Sequence, residues 1–401
     1  MRVCLGLLCY ISVCFGAHLL DDDPRDLDES LESKKIESSR QIAPEQLTNI
    51  TYKNPARTML DPRASIGFDS YLDNLEGDSA LWAARTLYAL RLSPEIGLGI
   101  NHKHALMLGG FVLQNMGART FPTKANVTAY YAYNNEGFGS LMGIFPRTKL
   151  KGHYPLSFFR PDFLFFSPNV NGLALNIHTK GALLALRGEF VFDWYGLSKR
   201  YDEFYALAHA EATMLHFLYL RANGLIYHIK NEELLSADGS KNPANPLLPN
   251  TQLLDKILYE VAFGVDFAKF VSVEHLQKAD IGIVALGSLE RKRRASGLGD
   301  FYVGSGGEIR ASLQYKRFGI EESYYFGKPQ MRYFGEYGES VYNGLPFYQA
   351  SSFNRINAYY EYRDDFLRLN VGFAFYNFDR QFALSQMLTL TLDTQKIFKQ
   401  F

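Results

Sequence analysis

The chain has 401 residues, of which 47% are hydrophobic and 15% aromatic, yet its mean hydropathy is only −0.15. Its 42 basic residues balance its 42 acidic residues, so the composition argues against a nucleic-acid partner. After the N-terminus, no apolar stretch approaches the roughly 20 residues that a membrane-spanning helix needs. The apolar residues are therefore dispersed, and the pattern of that dispersal decides the fold class.

The N-terminus has the features of a secretory signal peptide. Met1 and Arg2 precede an apolar run over residues 3–15, and residues 1–17 are predicted to be removed on export. An alternative is a lipoprotein acylated at Cys14. All three cysteines lie in this segment (Cys4, Cys9 and Cys14), so the exported chain is expected to contain none. That expectation argues against a disulfide framework, a cysteine nucleophile and a thiolate metal site.

Residues 18–63 are polar and rich in acidic side chains. No periodic pattern is sustained there, so the segment is predicted to be a disordered periplasmic extension. A short helix over residues 27–36 is the alternative.

From Ala64 onward, apolar and polar residues alternate repeatedly. The pattern is clear over residues 256–267, 308–316 and 366–378. Successive side chains of a strand point to opposite faces, so each segment has one apolar face and one polar or small face. A soluble β-sandwich would show the same alternation, but its strands average only about 5–6 residues. These segments are longer, as membrane-spanning strands are, and aromatic residues lie near their ends: Tyr88, Trp194, Phe267 and Tyr362.

The connections between these segments alternate in length. Tight turns are predicted at residues 101–103, 135–137, 180–181, 272–273 and 363–365, and longer loops lie between them. With a first strand near residues 66–72, both ends of the domain fall on the short-turn side. Residues 64–401 are therefore predicted to form an all-β fold, a closed antiparallel transmembrane β-barrel of about 16 strands, with 12–18 consistent with the pattern.

The C-terminal residue, Phe401, resembles the terminal phenylalanine of Gram-negative outer-membrane proteins. The resemblance is to that broad class and covers residues 64–401. It implies insertion by the barrel-assembly machinery and a location in the outer membrane. Leu388, Leu390 and Leu392 alternate in the opposite phase to Phe401, so either a bulge intervenes or the strand ends near Thr394.

Charged residues at alternate strand positions must face water rather than lipid, since a charge in mid-membrane costs about 2–4 kcal/mol. These positions define the predicted lining of the pore: Arg91, Glu95, Arg187, Glu189, Glu260, Asp266, Arg310, Arg355, Glu361, Arg363 and Arg368. Such charges either set ion preference or brace a plugged lumen as ion pairs.

The connection over residues 148–170 carries several phenylalanines that would be costly in water. Folding into the lumen and covering a neighbouring subunit are both consistent with that composition. We expect this loop to enter the barrel and form the constriction, with its charged residues Lys149, Lys151, Arg160 and Asp162. The basic run at residues 291–294 is expected at the outer rim, where lipopolysaccharide phosphates offer a counter-charge.

The sequence contains no catalytic or cofactor-binding motif, so neither an enzyme nor a cofactor is expected. His102 and His104 fall in a predicted turn, and a metal site there is disfavoured. His178, His209 and His228 are expected to be lumen-facing polar residues of strands. The predicted function is a porin-like channel for small hydrophilic solutes or ions. The alternative is a surface-exposed binding or adhesion protein with an occluded lumen. The predicted partners are outer-membrane lipid, lipopolysaccharide and further copies of the chain in a homotrimer.

Overall fold

The computed structural model describes residues 60–77, 81–181, 183–194, 203–230, 253–294 and 297–393. The predicted signal peptide, almost all of the predicted extension, and Phe401 lie outside these residues. The strands are β1 (Leu60–Gly77), β2 (Arg85–Ile100), β3 (His104–Asn115), β4 (Lys124–Asn134), β5 (Phe138–Pro146), β6 (Asn169–Thr179), β7 (Leu184–Asp193), β8 (Phe204–Met214), β9 (Leu218–Lys230), β10 (Leu253–Asp266), β11 (Leu276–Arg294), β12 (Gly297–Leu298), β13 (Tyr302–Tyr315), β14 (Phe318–Gly327), β15 (Ser352–Arg363), β16 (Leu367–Phe378) and β17 (Gln381–Asp393).

The described strands form a single antiparallel sheet that closes on itself. Each strand pairs with its neighbours in the chain, and β1 pairs with both β2 and β17. The two-residue β12 only extends the end of β11, which pairs directly with β13 in the wall. The wall therefore has sixteen strands, as predicted. Closure leaves no unpaired strand edge, which is what a sheet needs in order to cross lipid.

The outer surface of the barrel is apolar. Leu92, Ile96, Leu108, Ile283 and Phe373 all lie on it and are exposed. Aromatic side chains follow both rims, and an apolar band between two aromatic girdles is the pattern of a transmembrane barrel. Exposed members of the girdles are Tyr88, Trp194, Phe326 and Phe382 near one end, with Phe267, Phe270, Tyr315, Phe318 and Phe366 near the other. Separately, no helix among the described residues is long and apolar enough to cross a membrane.

The turns lie at one end of the barrel and the loops at the other, with one exception. All five predicted tight turns lie at or beside a strand boundary on the turn end, together with two that were not predicted, at residues 215–217 and 316–317. The exception is the two-residue turn that joins β16 to β17 at the loop end. There Asp379 (φ 44°) and Arg380 (φ 65°) are both left-handed, as a tight hairpin turn requires. The first strand is longer than predicted and begins at Leu60, inside the segment assigned to the extension.

Two long loops fold back into the barrel. Loop 3 (residues 147–168, between β5 and β6) contains a short helix, α1 (Pro161–Phe166). Loop 7 (residues 328–351, between β14 and β15) contains α2 (Phe334–Tyr337) and a 3-10 turn (Pro346–Gln349). The main buried cluster of the molecule consists of side chains from these loops packed against the inner wall. The core of the protein is therefore inside its barrel.

Candidate functional site

Loop 3 is held inside the lumen by a carboxylate of the wall. Glu189 projects from the inner face of β7 and accepts hydrogen bonds from the backbone amides of Lys151 (2.6 Å) and Gly152 (2.8 Å). The hydroxyl of Tyr154 donates to the same carboxylate at 2.8 Å. A charged acceptor makes stronger hydrogen bonds than a neutral one, so Glu189 fixes the backbone of the loop as well as its side chains.

The helix of loop 3 packs against the first two strands. The ring of Phe165 stacks on Tyr71 of β1 at 5.1 Å, and the guanidinium of Arg91 lies 4.8 Å from the Phe165 ring centre. Arg91 also donates to the Phe165 carbonyl at 2.9 Å and to Asp69 at 2.8 Å. Loop 3 thus reaches from β7 across the lumen to β1 and β2. The phenylalanines predicted to be costly in water are buried by this crossing.

Loop 7 enters from the opposite side and contacts the remaining wall. Phe347 stacks on Tyr376 of β16 at 4.4 Å, and the hydroxyl of Tyr348 donates to Glu308 of β13 at 3.1 Å. The ammonium group of Lys256, on β10, lies 4.1 Å from the centre of the Tyr342 ring. Burial, reinforced by the negative charge of Glu290, raises the pKa of the Tyr342 phenol well above its ordinary value. Tyr342 is therefore a neutral hydrogen-bonding group at physiological pH.

The two loops meet through main-chain hydrogen bonds. The amide of Arg160 donates to the Asn343 carbonyl at 2.7 Å, and the amide of Leu345 donates to the Leu156 carbonyl at 2.7 Å. The Arg160 guanidinium also donates to the Tyr342 carbonyl at 2.7 Å. Each loop therefore satisfies polar backbone groups of the other, which is the requirement for burying irregular backbone.

A charged cluster joins this meeting point to the wall. Arg160 contacts Asp162 and Glu339 (both 2.9 Å), while Arg85 of β2 contacts the same two carboxylates at 2.7 and 2.8 Å. Burial of the Glu339 carboxyl opposes its ionisation, but Arg160 and Arg85 together hold its pKa below the usual value. Two cations and two anions alternate here, so the cluster is close to neutral while tying both loops to β2.

Together, the two loops fill the loop-end half of the lumen. Inward side chains of β6–β9 lie beneath them and are almost completely buried: Val170, Ala174, Val191, Tyr205, Leu207, Leu225 and Tyr227. On the opposite wall, Phe353, Tyr376 and Phe378 are buried to the same degree. Side chains that lined open water would not be excluded from solvent to this extent. In this structure, the described loops occlude the loop-end half of the barrel.

All eleven residues predicted to line the pore lie on the inner face of the wall. Two of them, Arg310 and Glu260, contact each other at 2.9 Å, and Arg310 also contacts Glu308 at 3.0 Å. Arg368 contacts Glu361 at 3.2 Å. Glu95 accepts hydrogen bonds from Thr128 and Tyr130, and Arg355 is fully buried, 4.0 Å from Glu321. Most of these charges are thus paired within the wall instead of facing open solvent.

Some predicted residues lie away from the loops. Asp266 is at the turn end of β10, where its side chain accepts from the Ala268 amide, and Arg363 is at the turn end of β15. In loop 3, Arg160 and Asp162 are buried, whereas Lys151 is exposed and Lys149 half-buried. His228 was expected to face the lumen, but it lies on the outer face of β9 against Phe204 and Asp255. That position is at the rim, where a polar side chain can reach water.

The basic run at the end of β11 lies at the loop-end rim, but its first two members already have partners. Arg291 contacts Asp255 at 2.5 Å and packs over Phe301, and Lys292 pairs with Glu336 of loop 7. The side chains of Arg293 and Arg294 are outside the described set. Arg291 and Lys292 are therefore already paired with side chains of this protein.

The turn-end half of the lumen is more polar than the loop-end half, and many of its inward side chains are also buried, among them Glu260, Arg310 and Gln314. Arg187 is exposed on the inner face of β7, and Glu211 and Arg221 face the same space from β8 and β9. His153 of loop 3 and His209 of β8 lie at its upper boundary, with ring centres 5.7 Å apart. Burial, aided by the positive charge of Arg221, lowers the pKa of His153 well below its ordinary value, so its ring is neutral at physiological pH. We call the part of the lumen bounded by Arg187, His153, His209, Glu211 and Arg221 the vestibule.

The sequence predicted a long connection at loop 7 but did not place it inside the lumen, so Glu339, Tyr342 and Arg85 were missed. The signal was present, because residues 328–351 carry an aromatic content like that of loop 3: Tyr333, Phe334, Tyr337, Tyr342, Phe347 and Tyr348. The argument that such a loop must pack somewhere applies equally to both loops.

No family model matches the chain, and no curated protein matches it. Among solved structures, a loop-deletion variant of OmpT from Vibrio cholerae is 12% identical, covering 84% of this chain and 99% of that one, with a TM-score of 0.47. OmpF of Salmonella typhi, solved with daunomycin, is 10% identical, covering 83% and 97%, with a TM-score of 0.46. OprB of Pseudomonas putida is 10% identical, covering 83% and 94%, with a TM-score of 0.44.

The class of the protein follows instead from its own wall. A closed, sixteen-stranded antiparallel sheet with an apolar outer band is a transmembrane β-barrel of the Gram-negative outer-membrane type. Loop 3 folds inward across its lumen, and loop 7 lies beside loop 3.

Proposed function

We propose that the protein is a tightly constricted channel for small hydrophilic solutes or ions, with loops 3 and 7 as the constriction. A wall of sixteen strands encloses enough space for an aqueous passage. The observation that carries the proposal is that charged side chains of both signs line the inner wall at all depths, including Arg91, Glu260, Arg310 and Arg368. A mixed lining of this kind favours polar solutes and gives only modest ion preference.

The loops are held by contacts that can be remade. Glu189, Arg160 and Glu339 join them to the wall by hydrogen bonds and ion pairs. Passage would require loops 3 and 7 to move apart, because together they fill the loop-end half of the lumen. The proposed activity is the passage of solutes, without catalysis.

A second candidate function is favoured by the tight packing of the loops. Phe145, Tyr227, Phe347 and Arg355 are completely excluded from solvent inside the barrel. Such packing suits a permanently occluded barrel whose exposed loops bind a partner at the cell surface. Assembly as a homotrimer, contact with lipopolysaccharide and insertion by the barrel-assembly machinery remain proposals under either function.

Liposome swelling separates the two candidates. The protein is refolded into vesicles, and swelling rates are compared for neutral solutes ranging from glycerol to disaccharides. A constricted channel should admit glycerol and exclude the larger sugars, whereas an occluded barrel should admit neither.

A matched pair of deletions completes the test. Removing residues 156–166 of loop 3 should let the larger sugars through, because it removes α1 and the Arg160 contacts. Removing residues 117–122 of loop 2, which has no buried side chain, should leave the rates unchanged. If the intact protein admits no solute and only the loop 3 deletion does, the occluded barrel is the better description.

A further inference from the structure

Three potential metal ligands converge at the upper boundary of the vestibule. They are His153 of loop 3, with His209 and Glu211 of β8, and one ligand atom from each lies within 4.8 Å of the other two. The His153 Nδ1 atom is 3.7 Å from a Glu211 oxygen. His209 and Glu211 are two residues apart on one strand, so both face the lumen, and loop 3 brings the third group down onto them.

The orientation of His209 is set by its neighbours. Its Nδ1 atom is 2.7 Å from Oδ1 of Asn223, and the amide nitrogen of Asn223 in turn donates to Glu260 at 2.7 Å. Because that nitrogen is committed as a donor, Oδ1 must accept, and His209 carries its proton on Nδ1. The Nε2 atom is then left with a lone pair.

The Nε2 atom is also buried. His209 is 4% exposed, and within the described part of the chain its Nε2 atom is buried without a hydrogen-bond partner. In many metal sites, one ring nitrogen of the histidine donates a hydrogen bond to a fixed acceptor and the other nitrogen binds the metal. His209 has this arrangement, with Nδ1 as the donor and Nε2 as the free lone pair. A buried nitrogen with no partner is otherwise unfavourable, so the arrangement calls for an occupant.

Charged groups of both signs surround the cluster. In register across the wall, Glu189 and Asn223 flank His209, while Arg187 and Arg221 flank Glu211. Arg221 donates to Oε2 of Glu211 at 2.9 Å, and the same oxygen faces Nδ1 of His153. The two arginines oppose a cation, the carboxylate of Glu189 offsets part of that effect, and Glu260 is already paired with Arg310.

We propose that His153, His209 and Glu211 bind one divalent transition-metal ion, with Zn²⁺ as the best match, and that the ion ties loop 3 to β8. Two imidazoles and one carboxylate are a common donor set for zinc, and the fourth position would face the vestibule. The donor atoms lie within 4.8 Å of one another and would have to close by up to about 1.5 Å to reach tetrahedral spacing, a change that a loop side chain such as His153 can make. The inference requires loop 3 to lie in the lumen but does not depend on whether the lumen conducts.

The test is a titration of the refolded protein with Zn²⁺, followed by calorimetry, and with Co²⁺, followed by its visible absorption. We expect the wild type to bind one ion in a tetrahedral site. The variants His153→Gln, His209→Gln and Glu211→Gln should bind it at least about tenfold more weakly. The matched control is His178→Gln, which changes another inward histidine of the wall, on β6. Each variant is first shown to fold by its heat-dependent mobility shift in gels, so that lost binding is not lost structure.

Two further variants make the outcome decisive. Asn223→Ala should weaken Zn²⁺ binding about 10- to 100-fold although Asn223 touches no ion, because it orients His209. Arg221→Gln should tighten binding, because it removes a positive charge and frees a Glu211 oxygen. If the wild type and its His209→Gln variant bind the same number of ions equally well, the proposal is wrong. Weaker Zn²⁺ binding in Arg221→Gln would overturn the cation assignment.

Discussion

One added methyl group at the contact between the two loops should loosen the constriction. A Cβ atom at Gly344 would lie 2.0 Å from the Ser157 carbonyl oxygen and 2.5 Å from its carbon. Because both atoms belong to the backbone, no side-chain rotation can relieve the overlap. The loops must separate by roughly 1.4 Å to restore an ordinary contact distance. Gly344→Ala therefore acts directly on the way the loops meet.

The size of the effect follows from the contacts that this separation breaks. The hydrogen bonds from Arg160 to Asn343 and from Leu345 to Leu156, each 2.7 Å, would lengthen beyond bonding distance. Each contributes about 0.5–1.5 kcal/mol, and overpacking adds about 1–3 kcal/mol. Together these give a cost of about 2–6 kcal/mol for the closed arrangement. This corresponds to an opening equilibrium larger by about 30- to 20,000-fold.

Hydrogen–deuterium exchange of the protein in nanodiscs measures this opening. Amides of residues 156–160 and 343–348 should exchange at least about 30-fold faster in Gly344→Ala than in the wild type. Gly335→Ala is the matched control, since a Cβ there meets no atom within 4 Å. Equal exchange in Gly344→Ala and the wild type would refute the reasoning, because it would mean that the loops do not touch at this point.

Three further predictions concern the same contacts. Arg160→Met should destabilise the loop arrangement by about 2–4 kcal/mol, because it removes contacts to Asp162, Glu339 and Tyr342. Urea unfolding checks this prediction, with Arg119→Met, at an exposed position of loop 2, as the control. Lys256→Ala should lower the free energy of unfolding by about 3–5 kcal/mol, because it leaves the buried carboxylate of Glu290 without its cation. An unchanged midpoint of urea unfolding would contradict the pairing of Lys256 with Glu290. Because the pKa of Glu339 is depressed, its contribution is fully present above about pH 4.5 and is lost as the pH falls through its folded pKa. Membrane conductance should therefore rise below about pH 4.5 in the wild type, and the rise should be smaller in Glu339→Gln, which is already uncharged.

The strands of the wall were predictable from the sequence because each one is determined by the pattern of its own neighbouring residues. Alternation such as Ile309, Ala311 and Leu313 against Arg310 and Ser312 fixes which face of a strand meets lipid, and the turn residues fix where strands end. The strand number followed from the same two signals. The first strand was underestimated because Asp61 and Arg63, which pair with each other on the inner face, look like part of a polar extension.

The contents of the lumen were only partly predictable. The phenylalanines of loop 3 indicated that it must be buried, and the structure places it inside. Loop 7 carried the same signal but was not given the same weight. Contacts such as Arg160 to Glu339, or His153 to Glu211, join residues far apart in sequence. They depend on how two irregular segments share one cavity, and no local pattern in the sequence records that.

The central claim, that loops 3 and 7 close the barrel from within, is tested most directly by single-channel conductance in a planar bilayer. The wild type should show small or rare conductance steps. The variant lacking residues 156–166 should show steps at least about tenfold larger, of the size expected for an open sixteen-stranded barrel. The loop 2 deletion of residues 117–122 should behave as the wild type does. Equal, large conductance in all three proteins would contradict the account, because it would place loop 3 outside the conducting path.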